Sequence, residues 1–103
     1  MAGLHNPVII VAGHLLTRPE HRDAYLDAVA HVAAMARNAP GCLDFVQAAD
    51  PSDPARIHIY ERWETDEDLE RFRAMPSPAA DGEVPEIVGG QVDRFRVSAV
   101  EPA

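Results

Sequence analysis

The chain has 103 residues, enough for one domain and one hydrophobic core, and its 47% apolar and 25% charged shares suit a folded soluble protein. The net charge is −8 and all nine basic residues are arginines, so there is no lysine to form a Schiff base and no basic cluster to hold nucleic acid or an anionic membrane. Cys42 is alone, which excludes an internal disulfide and a cysteine-rich metal site. Taken in order, residues 1–7 read as a loose tail before the apolar run Val8–Leu16, whose alternating faces are both apolar, as in a central strand covered on both sides. Its core, Val8 to Val11, is too short to span a membrane and no Lys or Arg precedes it as a secretory leader requires, so a cytoplasmic protein is expected.

Pro19 suits a first helical turn, and Tyr25, Val29, Val32 and Ala36 recur at helical spacing up to about Arg37, flanked by Leu26, Ala33 and Met35, with His31 pointing away. Asn38-Ala39-Pro40-Gly41 stops that helix. Cys42–Ala49 reads as a second strand, with Leu43 and Phe45 on one face and Cys42, Asp44 and Val46 on the other. The turn-rich Asp50–Pro54 joins it in a hairpin to Arg56–Trp63. In that third strand Ile57, Ile59, Glu61 and Trp63 form the more apolar face, and His58, Tyr60 and Arg62 the polar-aromatic one. Thr65 is the expected N-cap of a second helix with Asp66, Glu67 and Asp68 in its first turn and Leu69 and Phe72 on one side, ended by Pro76 and Pro78. Residues 79–90 are expected to be irregular, and Gln91 to about Val100 to form a last strand with Phe95, Val97 and Ala99 opposite Arg94, Arg96 and Ser98.

The order strand, helix, strand, strand, helix, strand predicts an α+β, ferredoxin-like βαββαβ domain: a four-stranded antiparallel sheet with both helices on one face. The other face would then be bare, and a second copy of the same sheet is the simplest cover. His58, Tyr60, Arg62, Arg94 and Arg96 are expected in or around that contact, with Asp44 and Asp93 as counter-charges.

No phosphate loop, dinucleotide fingerprint, HExxH or Gly-x-Ser-x-Gly pattern is present. Pro40-Gly41-Cys42 leading into the second strand, Thr17-Arg18-Pro19, and above all Glu61-x-Trp63 within Ile59–Leu69 resemble the antibiotic-biosynthesis monooxygenase family, closest to its small quinol-monooxygenase-like members. The resemblance implies a homodimeric α/β barrel and, as in some members, oxygenation of electron-rich aromatics such as quinols or anthrones by O₂ with no cofactor and no metal. Such chemistry asks for an apolar space between sheet and helices, which Trp63, Ile59, Tyr25, Met35 and Phe72 can line; Glu61 on the apolar face is a candidate base, and His14 and His58, at even positions of neighbouring strands, are candidates for proton transfer. Trp63 also suits core filling, and the two histidines a subunit interface. Two departures stand out: members that oxidise anthrones carry an asparagine where this chain has Ile59, and no histidine follows His58 to hold a haem iron. A non-catalytic binding or dimerisation module and an isomerase or cyclase on the same barrel are the alternative readings.

Overall fold

The structure, a computed structural model, describes residues 8–76 and 84–103. Four strands and two helices follow the expected order: β1 (Ile9–Leu16), α1 (Arg22–Arg37) after a single 3-10 turn at Pro19–His21, β2 (Cys42–Ala49), β3 (Arg56–Trp63), α2 (Asp66–Arg73) and β4 (Gly89–Arg96). The sheet is antiparallel throughout, in the order β2-β3-β1-β4 of a ferredoxin-like domain. The expected tail and the proline stop at Pro78 lie outside the described residues, as does part of the expected irregular segment. No helix among the described residues is long and apolar enough to cross a membrane.

Local chemistry fixes the joints. Thr65 caps α2: its Oγ1 accepts from the Asp68 backbone N–H at 3.0 Å and donates to Asp68 Oδ2 at 2.9 Å. Gly41 turns the chain into β2 at φ +81, where a Cβ would lie 2.1 Å from Asp68 Oδ2, so only glycine fits beside that cap. In the β2–β3 hairpin Asp50 Oδ2 accepts the backbone N–H groups of Ser52 and Asp53, and Arg22 of α1 donates to the Asp53 carbonyl at 2.7 Å.

Register decides which side chains face the helices. Across β4-β1-β3-β2 the helix-facing rows are Arg96–Ile9–Trp63–Cys42, Arg94–Val11–Glu61–Phe45 and Val92–Gly13–Ile59–Gln47. Ile9, Val11, Phe45, Trp63, Leu69 and Ala36 form one buried cluster under α1 and α2. The opposite rows hold Ile10, Ala12, His14, Tyr60, Arg62, Val46 and Phe95.

Three expectations are corrected. The register of β2 slips between Cys42 and Asp44, so Cys42 pairs with Trp63 and packs against the core, while Leu43 joins Ile10 and Val8 on the other side. Arg94 and Arg96 lie on the helix-facing side, not at the bare face: Arg94 donates to Asp66 Oδ1 at 2.9 Å and Glu70 Oε1 at 2.8 Å, and Arg96 pairs with Asp66 Oδ2. The acidic first turn of α2 claims them. Finally, β4 begins at Gly89 rather than Gln91, because Gly89 and Gly90 close onto Leu16 and Leu15. It ends at Arg96, one step before Val97 N–H reaches the Val8 carbonyl and β1 runs out.

Candidate active site

The strand alternation of β3 puts Glu61 and Trp63 on one side, two residues apart, and the indole N–H donates to Glu61 Oε1 at 3.0 Å. Trp63 has no exposed surface. Its ring lies against Phe72 at 5.3 Å between centroids, and Phe72 meets Phe45 edge-on at 6.0 Å. The tryptophan therefore fills the core here and acts on its surroundings through the carboxylate it holds. Burial pushes the Glu61 carboxyl above its ordinary value, and the Trp63 N–H and the Arg73 guanidinium offset that rise only in part. A partly buried carboxylate, oriented through one oxygen and raised toward neutrality, is equipped to take a proton from a weak acid.

Phe72 and Met35, both expected to line a substrate space, line a groove of about 180 Å³ at the seam of α1 and α2 together with Val32, Arg73 and Met75. Arg73 thus faces both the groove and the Glu61 charge. Ile59 is buried beside Glu61's row, at 6% exposure. Tyr25 sits half-buried on α1, where burial pushes its phenol up; its hydroxyl makes no hydrogen bond among the described residues. On that helix-facing side the structure brings together Glu61, Trp63 and Phe72, with Met35 sharing Phe72's groove.

It separates His14 and His58 from them. The two histidines pair directly across β1 and β3, but on the face away from the helices, so neither can pass a proton to Glu61 through the sheet. His58 is instead tied to the hairpin: its Nε2 lies 2.5 Å from Asp50 Oδ1, a contact that, with the loop N–H groups, holds Asp50 well below the usual carboxylate range. Among the described residues no three His, Cys, Asp or Glu side chains converge as metal ligands.

Sequence reasoning missed two polar groups on the helix-facing side. Arg73 was hidden because the pattern of α2 was read from its apolar positions alone. Gln47 follows Phe45 at strand spacing and so shares its face; that spacing was the available signal. The Gln47 Oε1 is buried and accepts no hydrogen bond among the described residues.

The family model for antibiotic biosynthesis monooxygenases matches residues 8–80. Similar solved structures include a candidate antibiotic biosynthesis monooxygenase of Deinococcus radiodurans (TM-score 0.76, 19% identity, 92% of this chain and 97% of that one). Another, also described as a candidate member, is from Chloroflexus aurantiacus (TM-score 0.71, 25% identity, 92% and 97%). A third, from Bacteroides thetaiotaomicron, is described as a conserved protein of unknown function and possible oxidoreductase (TM-score 0.72, 14% identity, 88% and 98%). No curated protein matches the sequence.

Proposed function

From the premise that the chain belongs to the antibiotic biosynthesis monooxygenase family, we propose that it is a cofactor-independent monooxygenase of an electron-rich phenol, quinol-like or anthrone-like, with Glu61 as the base. The observation that carries this reading is the Trp63-held, partly buried Glu61 carboxylate on the helix-facing side, with Arg73 linking its field to the apolar groove.

The chemistry asks little of a protein. Glu61 takes the acidic proton of the bound substrate, leaving a delocalised anion that is itself the reductant for O₂. The anion's carbon forms a bond to one oxygen atom, and the distal oxygen takes a proton back from Glu61. The O–O bond then breaks as a second hydrogen leaves the same carbon. One oxygen atom stays as a carbonyl and the other departs as water, so the substrate's loss of four electrons matches the four gained by O₂. The apolar surroundings of Phe72 and Met35 keep bulk water from protonating the anion first.

The assembly proposed with this reading is a homodimer. The sheet face away from the helices exposes Leu43 at 42% and Phe95 at 51%, next to Ile10 and Tyr60, and carries a groove of about 410 Å³. A twin sheet covers such a surface with matched apolar side chains. His14 and His58 then belong to the subunit contact.

One observation favours a non-catalytic binding module instead: the layer around Trp63 is solidly packed, with the indole, Ile9 and Leu69 at 0–1% exposure. Oxygen consumption separates the two readings. With a panel of hydroquinones and anthrones, the enzyme consumes O₂ faster than autoxidation and Glu61→Gln does not. Binding without consumption leaves the module.

A further inference from the structure

Two of the chain's three methionines, Met35 and Met75, come together in the groove of about 180 Å³ at the seam of α1 and α2, which Val32, Phe72 and Arg73 also line. Met35 is half-buried on the last turn of α1. Met75 follows the C-cap residue Ala74 of α2 and is 43% exposed; its backbone N–H donates to the Phe72 carbonyl at 3.1 Å, which holds it at the groove's edge. The groove lies on the helix side of the sheet, so a twin sheet packed on the other face leaves it open.

Among the described residues the sulfur and indole side chains are these two, Cys42 and Trp63. Trp63 has no exposed surface. Peroxides attack a cysteine as its thiolate. Burial pushes the Cys42 thiol up, the Glu61 and Asp44 charges add to the rise, and the Asp44 carbonyl and Arg37 offset it only in part. A thioether has no proton to lose, so its oxidation needs access and no ionisation. An oxidant on this side of the molecule therefore reacts with Met75 and Met35 first.

We infer that Met35 and Met75 form a modification site: hydrogen peroxide converts them to sulfoxides, and the oxidised groove no longer admits an apolar ring. A sulfur lone pair forms a bond to one peroxide oxygen as the O–O bond breaks, and the other oxygen leaves as water with both of the peroxide's protons. Sulfur's loss of two electrons matches the two that the peroxide gains. The inference rests on the monooxygenase reading for the source of the peroxide: an intermediate that sheds both oxygen atoms before the O–O bond breaks releases them as hydrogen peroxide beside this groove. A sulfoxide oxygen is a strong acceptor, and shutting one under an apolar ring costs it a hydrogen bond. Arg73 lines the same groove and reaches Glu70 only at 3.8 Å, so its guanidinium has N–H groups left to donate to the new oxygens. The sulfoxides thus gain a partner in the empty groove that a bound ring would take away.

The test needs no turnover. Hydrogen peroxide is added to the purified protein and the sites are read by peptide mass spectrometry. Binding of 1-naphthol is measured by titration calorimetry before treatment, after it, and after repair by methionine sulfoxide reductases. Met35 and Met75 each gain one oxygen atom before Cys42 or Trp63 is altered, the treated protein binds the probe roughly tenfold more weakly, and repair restores the affinity. The double variant Met35→Leu, Met75→Leu binds the probe as the wild type does and keeps that affinity in peroxide, with circular dichroism verifying the fold. Earlier oxidation of Cys42, unchanged binding after oxidation, or a loss that repair does not reverse overturns the inference. An equal loss in the folded leucine variant overturns it too, as does a wild type with no affinity for the probe. The oxidation and repair cycle of the wild type decides the question by itself if the leucine variant fails to fold. Oxygen uptake with hydroquinones and anthrones keeps this separate from the monooxygenase reading. Selective oxidation with loss of binding in a protein that consumes no O₂ leaves the modification site standing and removes the oxygenase as its source of peroxide. Uptake without selective oxidation does the reverse.

Discussion

The bond between the Trp63 indole and Glu61 is measurable as a coupling energy, without knowing any substrate. Trp63→Phe keeps an aromatic ring against Phe72 but leaves the partly buried carboxylate without its donor. Glu61→Leu removes the charge but strands an indole N–H that has no exposed surface. The double variant avoids both faults. A hydrogen bond to a charged group contributes about 1.5–3 kcal/mol, and one between neutral groups about 0.5–1.5 kcal/mol. The coupling in a double-mutant cycle should therefore be about 1.5–3 kcal/mol at pH 8 and fall to the lower range once Glu61 is protonated. In a domain of this size about 1 kcal/mol moves the melting midpoint by roughly 4–8 °C, so the coupling is well resolved. Urea unfolding of the four proteins at pH 8 and pH 4, at one fixed protein concentration, supplies the numbers. A coupling under about 0.5 kcal/mol, the additivity limit of independent sites, or one that does not change with pH, refutes the claim that the indole holds the carboxylate.

Further outcomes follow from the same geometry. Because burial raises the Glu61 pKa, the folded state binds its proton more tightly than the unfolded state. Its contribution is then fully present below the ordinary value of 4.5 and is lost as pH rises through the higher folded value. Glu61→Gln should consequently melt higher than wild type at pH 8 and not at pH 4, read by calorimetry; equal shifts at both pH values contradict the burial argument. Phe95→Glu, placing a charge in the exposed apolar face, should convert a dimer to a monomer in analytical ultracentrifugation, and an unchanged sedimentation coefficient removes that face from the contact. Asp66→Asn frees Arg94 and Arg96 from their shared carboxylate at the start of α2, an exposed network whose loss should move the urea midpoint only slightly, and less still in high salt; a large, salt-independent drop contradicts it. Gly41→Ala must hold φ +81 against Asp68 and should cost more than about 1 kcal/mol in urea unfolding; a neutral result means the turn is not strained.

Much of the fold was legible because period-two and period-3.6 apolar spacing is enforced by burial. Ile57, Ile59 and Trp63 had to face a core, and they do. The Thr65 cap was legible for a similar reason, since its partner lies three residues away. What the sequence hid depends on contacts between distant elements. The bulge that turns Cys42 inward and Leu43 outward is a slip against β3. The side that β4 shows to the helices is set by its pairing with β1. Hence Arg94 and Arg96, correctly placed together, were given to the wrong surface until Asp66 and Glu70 were seen above them. The candidate site divides the same way. Glu61 and Trp63, two apart on one strand, were readable as a pair, and Phe72 and Met35 as apolar lining. His14 and His58 were readable as neighbours on the even-numbered face, which does point away from the helices; what the sequence left open was whether that face and Glu61 could share a proton path.

The central claim is that Glu61 begins an oxygenation in which one oxygen atom stays on the substrate. Turnover of 1,4-dihydroxynaphthalene or an anthrone under ¹⁸O₂, with product and water analysed by mass spectrometry, tests it most directly. The account predicts one labelled atom in the product and one in water from the wild type, and no turnover above autoxidation from Glu61→Gln. Release of both atoms as labelled hydrogen peroxide, or equal labelling by wild type and Glu61→Gln, would contradict it.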